Sequence, residues 1–360
     1  MTIALNKPYE PDISKLTKYL LEVNKSGWYT NFGPLHQQLT VRLEEFLGVK
    51  NLLLVSNGTL AIQVACKVLG ISKAITTPFS FVATSSSLLW QGIDIDYVDI
   101  NGKTLNLCPN NVKEKIANDN SYNGVVATHV YGNPCDVEHF ESIQDDTNVK
   151  IVYDAAHAFG VRCHDRSVLS FGDASTLSFH ATKVFHTVEG GAIVFKNRAD
   201  YIKAKQLINF GILDNGQLGE PGINAKLNEY QCAVGLTILD DIETILDKRA
   251  ALLSRYLELV KDVLCVPEWH KFATCNGAYM PVLFSSEESK LIVKSELNNK
   301  GIQCREYFSP SLDKFYGKGE KTKVSRDVSN RVLCLPLHYY MSDRDVFTVV
   351  EVIKKVYRKL

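Results

Sequence analysis

Over the first fifty residues the apolar positions recur with helical spacing. Leu16, Tyr19 and Leu20 share one face of a segment that stops at Gly27, and Leu35, Leu39, Leu43 and Phe46 share one face of a second, which opens at Pro34 and closes at Gly48. An extended arm precedes the first of these helices. The pattern then changes to short unbroken apolar runs. "LLLV" is followed by Ser56-Asn57-Gly58-Thr59 and a helical stretch ending at Gly70, which makes a strand-turn-helix unit. Runs within "KAITTPFSFVATSSSLLWQG", "DIDYVDI", "NGVVATHVYG" and "VKIVYDAAHAFG" continue the series, rich in Val and Ile and separated by stretches of helical character. Such alternation predicts a largely parallel sheet covered on both faces. Ligand chemistry in these sheets gathers at the carboxyl ends of strands, so the polar clusters at 56–59, 129–133 and 154–157 are expected near one another.

Beyond position 236 the texture differs. "LTILDDIETILDKRAALLSRYLELVKDV" reads as a long amphipathic helix with a bend, "GAYMPVLFS" as a strand, "ESKLIVKSELNNKG" as a helix, and the last thirty residues as strand, turn and helix. That mixture predicts a small α+β domain. "YGKGEKTKVSRDVSN" (316–330) is polar and weakly patterned, and is expected to be a surface loop. A chain of 360 residues, 45% hydrophobic, is long for a single core. The expected division is an N-terminal arm and helix (1–25), a large domain (26–240) and a small C-terminal domain (241–360).

Charge and cysteine content narrow the function classes. Forty Lys plus Arg balance forty Asp plus Glu, which gives no electrostatic grip on nucleic acid or an anionic membrane. Nine cysteines, odd in number and widely spread, show neither CxxC nor finger-like His spacing, so they read as reduced thiols and not as a metal centre. No stretch reaches the ~20 apolar residues of a membrane span, and the opening residues do not resemble an export signal. A soluble cytoplasmic protein is expected.

The densest chemistry lies in "SFHATKVFHTVEGGAIVF" (178–195), where Lys183 sits between His180 and His186. Upstream, Asp154 follows the apolar run "VKIVY". A lysine amine and a carboxylate at a strand end meet the needs of pyridoxal phosphate chemistry. The amine ties up the aldehyde, and the acid keeps the pyridine nitrogen protonated so that the ring accepts electrons. "SNGTLA" supplies a Gly-Thr pair at a strand-to-helix turn, suited to a phosphate, although Asn57 or Thr59 there also suits simple helix capping. Gly190 and Gly191 are expected to give a tight reversal before "AIVF".

Taken in order, "SNGTLA", "TPFSFVATSS", "VYDAAHAFG", "SFHATKVFHTVEGGAIV", "GINAKLNEYQCAVGL" and "LCLPLHYYMS" resemble the DegT/DnrJ/EryC1/StrS family of nucleotide-sugar aminotransferases, within the aspartate aminotransferase superfamily. The resemblance spans most of the chain and implies an α/β fold, the pyridoxal-phosphate-dependent transferase fold type I. That fold is a mostly parallel mixed sheet flanked by helices, with a smaller α+β C-terminal domain. It implies pyridoxal 5'-phosphate as cofactor, Lys183 as the Schiff-base lysine and Asp154 as the acid beside the ring nitrogen. Gly58, Thr59 and Ser178 match phosphate-cradling positions, and Phe81 falls where the family places an aromatic ring over the cofactor. Asn224 matches an asparagine that reaches the phosphate of the neighbouring subunit, which implies a homodimer with shared active sites. His157 departs from the glutamine of many members; its imidazole can donate one hydrogen bond to the ring hydroxyl, with the tautomer left open.

The resemblance also implies a reaction: transfer of an amino group from L-glutamate to a nucleotide-linked keto sugar in a ping-pong cycle. Trp28, Thr30, Tyr307 and His338 match places where members wrap the nucleotide-sugar. His180 and His186 read either as core histidines or as substrate contacts. Members acting at sugar C3 usually carry a loop like "YPGKNLGALGDGG", whereas this chain has "HATKVFHTVEGG". That loop points to C4 of dTDP-4-keto-6-deoxyglucose and to dTDP-4-amino-4,6-dideoxyglucose as product. The alternatives are a C3-specific or UDP-sugar aminotransferase, a sugar dehydratase and a non-catalytic regulatory protein. Dehydratases of this group have histidine where this chain has Lys183.

Overall fold

The N-terminal amphipathic segments form α1 (Ile13–Ser26) and α2 (Pro34–Leu47), each stopped by a left-handed glycine, Gly27 at φ 66° and Gly48 at φ 64°. The computed structural model describes residues 2–318 and 322–359. Asp12 caps α1 by accepting the Lys15 N–H at 2.9 Å. The start of α2 has no such local cap. Instead the buried Glu229 accepts the Leu35 and His36 N–H groups at 2.8 Å each, a cap supplied from far along the chain.

Strand and helix then alternate: β1 (Leu52–Val55), α3 (Gly58–Val68), β2 (Lys73–Thr76), α4 (Val82–Trp90), β3 (Asp94–Tyr97), α5 (Pro109–Asn118), β4 (Gly124–Thr128), α6 (Val137–Thr147) and β5 (Lys150–Asp154). A short hairpin, β6 (Arg162–Cys163) and β7 (Arg166–Ser167), leads to β8 (Ala174–Ser178), β9 (Gly191–Phe195) and α7 (Arg198–Leu207). The main sheet has the order β1-β9-β8-β5-β4-β2-β3. Within it β9 alone runs against its neighbours, and the other six strands share one direction. Leu53, Val55, Val126 and Ile193 pack on one face and Leu52, Leu54, Val125 and Tyr153 on the other, so alternate residues of each strand feed two separate apolar layers.

The expected long helix is two: α8 (Glu229–Leu239) and α9 (Ile242–Val260), broken at Asp240-Asp241. Then follow β10 (Met280–Leu283), α10 (Glu287–Asn299), α11 (Asp313–Tyr316), α12 (Lys323–Arg331), β11 (Val332–Leu335) and α13 (Asp343–Tyr357). β10 and β11 pair antiparallel, and α9, α10 and α13 pack with them around Tyr256, Met280, Val293 and Val349. The N-terminal arm joins this layer, since Ile3 bridges to Ile302 and Leu5 accepts the Leu337 N–H at 3.1 Å.

The polar stretch expected as a surface loop is mostly helical. Asp99, from the end of β3, accepts the Val324 and Ser325 N–H groups at 2.8 Å each and the Ser325 hydroxyl at 2.6 Å, capping α12 across a long sequence separation. Ser325, Val328 and Ser329 are buried as a result. Residues 319–321 of that stretch lie outside the described residues. No helix among the described residues is long and apolar enough to cross a membrane.

Candidate active site

The carboxyl ends of β1, β5 and β8 open onto a cavity of about 330 Å³ that brings together Gly58, Thr59, Asp154, His157, Ser178 and Lys183. Phe81, Arg305, Tyr307 and Phe308 line it as well. Asp154, the last residue of β5, is only 6% exposed. Its Oδ2 accepts the Thr84 hydroxyl at 2.6 Å and its Oδ1 the Ala156 N–H at 3.1 Å. Behind Thr84, Ser80 lies 2.7 Å from the Thr84 hydroxyl and 3.1 Å from that of Thr128. Burial holds the Asp154 carboxyl above its ordinary range, and the two hydrogen bonds and the Lys183 charge pull the other way. Lys183 lies between β8 and β9, with its N–H donated to the His180 carbonyl at 2.9 Å. Burial lowers its ammonium pKa, while Asp154 and Tyr307 oppose that shift. The cavity therefore holds an amine with a raised neutral fraction next to a fixed carboxylate.

His157 uses Nδ1 as an acceptor within the chain. The Tyr131 N–H is donated to its Nδ1 at 3.3 Å, so the ring proton sits on Nε2. Burial, then the charges of Lys183 and His129, hold its pKa well below the ordinary histidine value, which keeps it neutral. Its ring stacks on Phe308 (centroids 5.8 Å apart, 8° between planes) and meets Tyr279 edge-on at 4.8 Å.

At the start of α3, Asn57 caps the helix by accepting the Leu60 N–H at 2.8 Å, while Gly58 and Thr59 line the cavity beside Ser178. Capping and anion-binding geometry thus coexist at one helix N-terminus. A Cβ on Gly58 would lie 2.9 Å from the Ser178 Cβ, so glycine is what lets α3 begin against the end of β8. The Gly190-Gly191 expectation needs correction. Neither glycine has a positive φ; the left-handed residue of this reversal is Val188, at φ 68°. The glycines serve close approach: a Cβ would lie 2.1 Å from the Thr187 hydroxyl at Gly190, and 2.7 Å from the Asn57 backbone at Gly191.

Five other residues singled out in the sequence do not reach this cavity within one chain. Trp28 and Thr30 are exposed ahead of α2. His186 faces away, its buried Nε2 2.9 Å from the Tyr9 carbonyl of the N-terminal arm. His338 is buried, 6.4 Å ring to ring from Tyr340. Asn224 accepts the Lys226 ammonium at 2.8 Å and forms a bridge with Asn209. The 129–133 cluster lies near Asp154 but beneath the cavity: His129 donates its N–H to the Asp154 carbonyl at 3.0 Å and stacks on Tyr153 at 4.5 Å. Of the two readings left open for His180, the structure puts it on the cavity wall; sequence reasoning missed Thr84 and Arg305, whose guanidinium lies 4.8 Å from the Tyr307 ring centre. Thr84 falls inside "TPFSFVATSS", but nothing in the sequence ties it to Asp154. Arg305 had no local signal.

Residues 12–354 match the DegT/DnrJ/EryC1/StrS aminotransferase family. The chain belongs to this family. It is an aminotransferase that uses pyridoxal 5'-phosphate, built on fold type I. Among curated relatives, a dTDP-4-amino-4,6-dideoxy-D-glucose transaminase of Shigella dysenteriae is 38% identical over 98% of this chain and 99% of its own length. A transaminase of the same name from Escherichia coli is 32% identical, over 98% of each chain. Among solved structures, that of DesI in the presence of its TDP-sugar product superposes with a TM-score of 0.92 at 28% identity, covering 99% of this chain and 94% of the other. The donor set of the aminotransferase's cavity fits its cofactor: a helix N-terminus with a glycine cradle for a phosphate, a buried carboxylate for a ring N–H, and a lysine amine.

Proposed function

We propose that the aminotransferase moves an amino group from L-glutamate to C4 of a nucleotide-linked deoxysugar, dTDP-4-keto-6-deoxyglucose, giving dTDP-4-amino-4,6-dideoxyglucose. The observation that carries this reading is the 38% identity, along nearly the whole chain, to the transaminase named for that product. The "HATKVFHTVEGG" loop around Lys183 supports it.

Pyridoxal 5'-phosphate, when bound, supplies an aldehyde for amine exchange and a ring that accepts electrons. Gly58, Thr59 and Ser178 would hold the phosphate at the α3 N-terminus, and Asp154 would accept a hydrogen bond from the ring nitrogen. Thr84 and Ala156 fix the carboxylate for that task, and a cationic ring there would offset the burial cost that raises the Asp154 pKa. His157 would donate from Nε2 to the ring hydroxyl, and Phe81, on the cavity wall, would lie against the ring. The Lys183 Nζ, deprotonated more readily because it is buried, carries the proton to and from the substrate carbon. Arg305 and Tyr307 at the cavity wall suit a diphosphate and a sugar or base, with the exposed Trp28 and Thr30 as further contacts of the assembled enzyme; His186 and His338, buried within the chain, are left out of this reading.

The working unit is a homodimer on this reading, with Asn224 of each chain serving the other's phosphate site. Phe210, Ile212, Leu218, Ile223 and Tyr230 are large apolar side chains left exposed on the stretch around Asn224, as expected of a face that a second copy covers.

The substrate is tested by incubating the holoenzyme and glutamate separately with dTDP-3-keto- and dTDP-4-keto-6-deoxyhexoses and locating the new nitrogen by NMR. Amination at C4 is expected. A C3 amine as main product refutes the regiochemistry, and efficient amination of a UDP-linked ketone alone refutes the nucleotide.

A further inference from the structure

Outside the active cavity, a carboxylate, a thiol and an imidazole converge from three separate parts of the chain. Glu138 lies in the first turn of α6, Cys163 on β6 and His270 in the segment between α9 and β10. One donor atom from each lies within 4.8 Å of the other two. Cys163 Sγ is 3.6 Å from His270 Nδ1. Bonds of ~2.3 Å to sulfur and ~2.0–2.1 Å to nitrogen at a tetrahedral zinc put those two ligands ~3.5 Å apart. The Glu138 carboxylate is steadied on its other side by His164, whose Nε2 lies 2.5 Å from Oε1. Its Oε2 is 3.6 Å from His270 Nε2, the ring nitrogen opposite the one that faces Cys163.

The frame around these groups is fixed by backbone bonds. His164 donates its N–H to the Phe272 carbonyl at 3.1 Å, Thr274 to the Arg162 carbonyl at 2.9 Å, and His270 to the Asn133 side chain at 2.8 Å. Glu138 and His270 line an open cavity of about 400 Å³, so ions from solvent reach two of the three ligands. Cys163 has no exposed surface. That rules against a thiol nucleophile for organic substrates but suits an inward-facing metal ligand.

We propose that Glu138, Cys163 and His270 form a binding site for a zinc-class divalent cation, distinct from the pyridoxal phosphate site. Sulfur and imidazole nitrogen select zinc and its borderline-soft relatives over magnesium or calcium, which take oxygen ligands. As the metal–sulfur bond forms, the Cys163 S–H bond breaks and its proton passes to water, with no change of oxidation state; a water molecule completes four-coordination. The site ties the 270s segment to the β6–β7 hairpin. From there Asn276 donates to the His157 and Phe159 carbonyls at 2.9 Å each, and Tyr279 meets the His157 ring.

The test uses the full-length holoenzyme, loaded with zinc, desalted and measured by mass spectrometry for metal content and by zinc-edge X-ray absorption. One zinc per chain is expected, with a single sulfur neighbour at ~2.3 Å and nitrogen or oxygen at ~2.0 Å. His270→Gln and Glu138→Gln, their folding checked by retained transaminase activity, are expected to bind zinc at least tenfold more weakly. Cys163→Ser is expected to lose the sulfur neighbour; should that variant not fold, His270→Gln decides. Wild-type protein that retains no zinc, zinc without a sulfur neighbour, or unchanged affinity in His270→Gln would each overturn the proposal.

Discussion

Replacing Thr84 with valine removes one hydroxyl and almost no volume. That hydroxyl lies 2.6 Å from Asp154 Oδ2, in a site where neither residue has appreciable contact with water. A hydrogen bond to a charged group contributes about 1.5–3 kcal/mol, and the loss cannot be repaired by solvent here. Among the described residues, Asp154 would keep the Ala156 N–H, at 3.1 Å, as its donor. Taking about 2 kcal/mol as the part expressed in the rate-limiting barrier, kcat/KM falls roughly 30-fold. The sign of the pH effect follows from the same bond. Thr84 favours the ionised carboxyl against burial, which already raises its pKa, so its removal raises that pKa further. The acid limb of the rate profile then moves to higher pH. The assay is steady-state transamination from glutamate across the acid range, with Thr84→Ser as the control that restores the donor. A Thr84→Val enzyme within twofold of wild type, with an unmoved acid limb, would refute the view that this hydroxyl positions and ionises Asp154.

Lys183→Ala and Asn224→Ala chains, each inactive or impaired alone, should regain activity when mixed and reassembled. Random pairing leaves one intact site in the mixed dimers, about a quarter of wild-type capacity; recovery no greater than the sum of the parts argues against shared sites. His36 is buried, its Nε2 without a hydrogen-bond partner among the described residues, and burial, then the Lys205 charge, lowers its pKa to about 4. Between about pH 4 and 6.5 the unfolded chain therefore binds the extra proton and stability rises with pH, by on the order of 3 kcal/mol across the window from this group. Urea unfolding of His36→Gln should show a pH dependence shallower by about one proton per chain, and an unchanged slope would count against this account.

Local pattern was enough to read much of this protein. Helical spacing and glycine stops located α1 and α2, and unbroken Val and Ile runs located the strands of the main sheet, because a strand buried on both faces must be apolar throughout. Asp154, Lys183 and the Ser56–Thr59 turn stood out as polar groups after apolar runs, and the family resemblance supplied the roles expected of them; the structure brings Asp154, Lys183, Gly58 and Thr59 to one cavity. What the sequence left open depends on partners far along the chain. Glu229 caps α2 and Asp99 caps α12, so a stretch that reads as a polar loop becomes a helix. Thr84 meets Asp154, and the Tyr131 N–H selects the His157 tautomer, only after β2, β4 and β5 lie side by side. The same holds for Glu138, Cys163 and His270, whose spacing along the chain has no metal-binding pattern. Periodicity records which way a side chain faces. Hydrogen-bond partners and clustered donors are set by how strands and segments distant in sequence stack, and no local pattern carries that information.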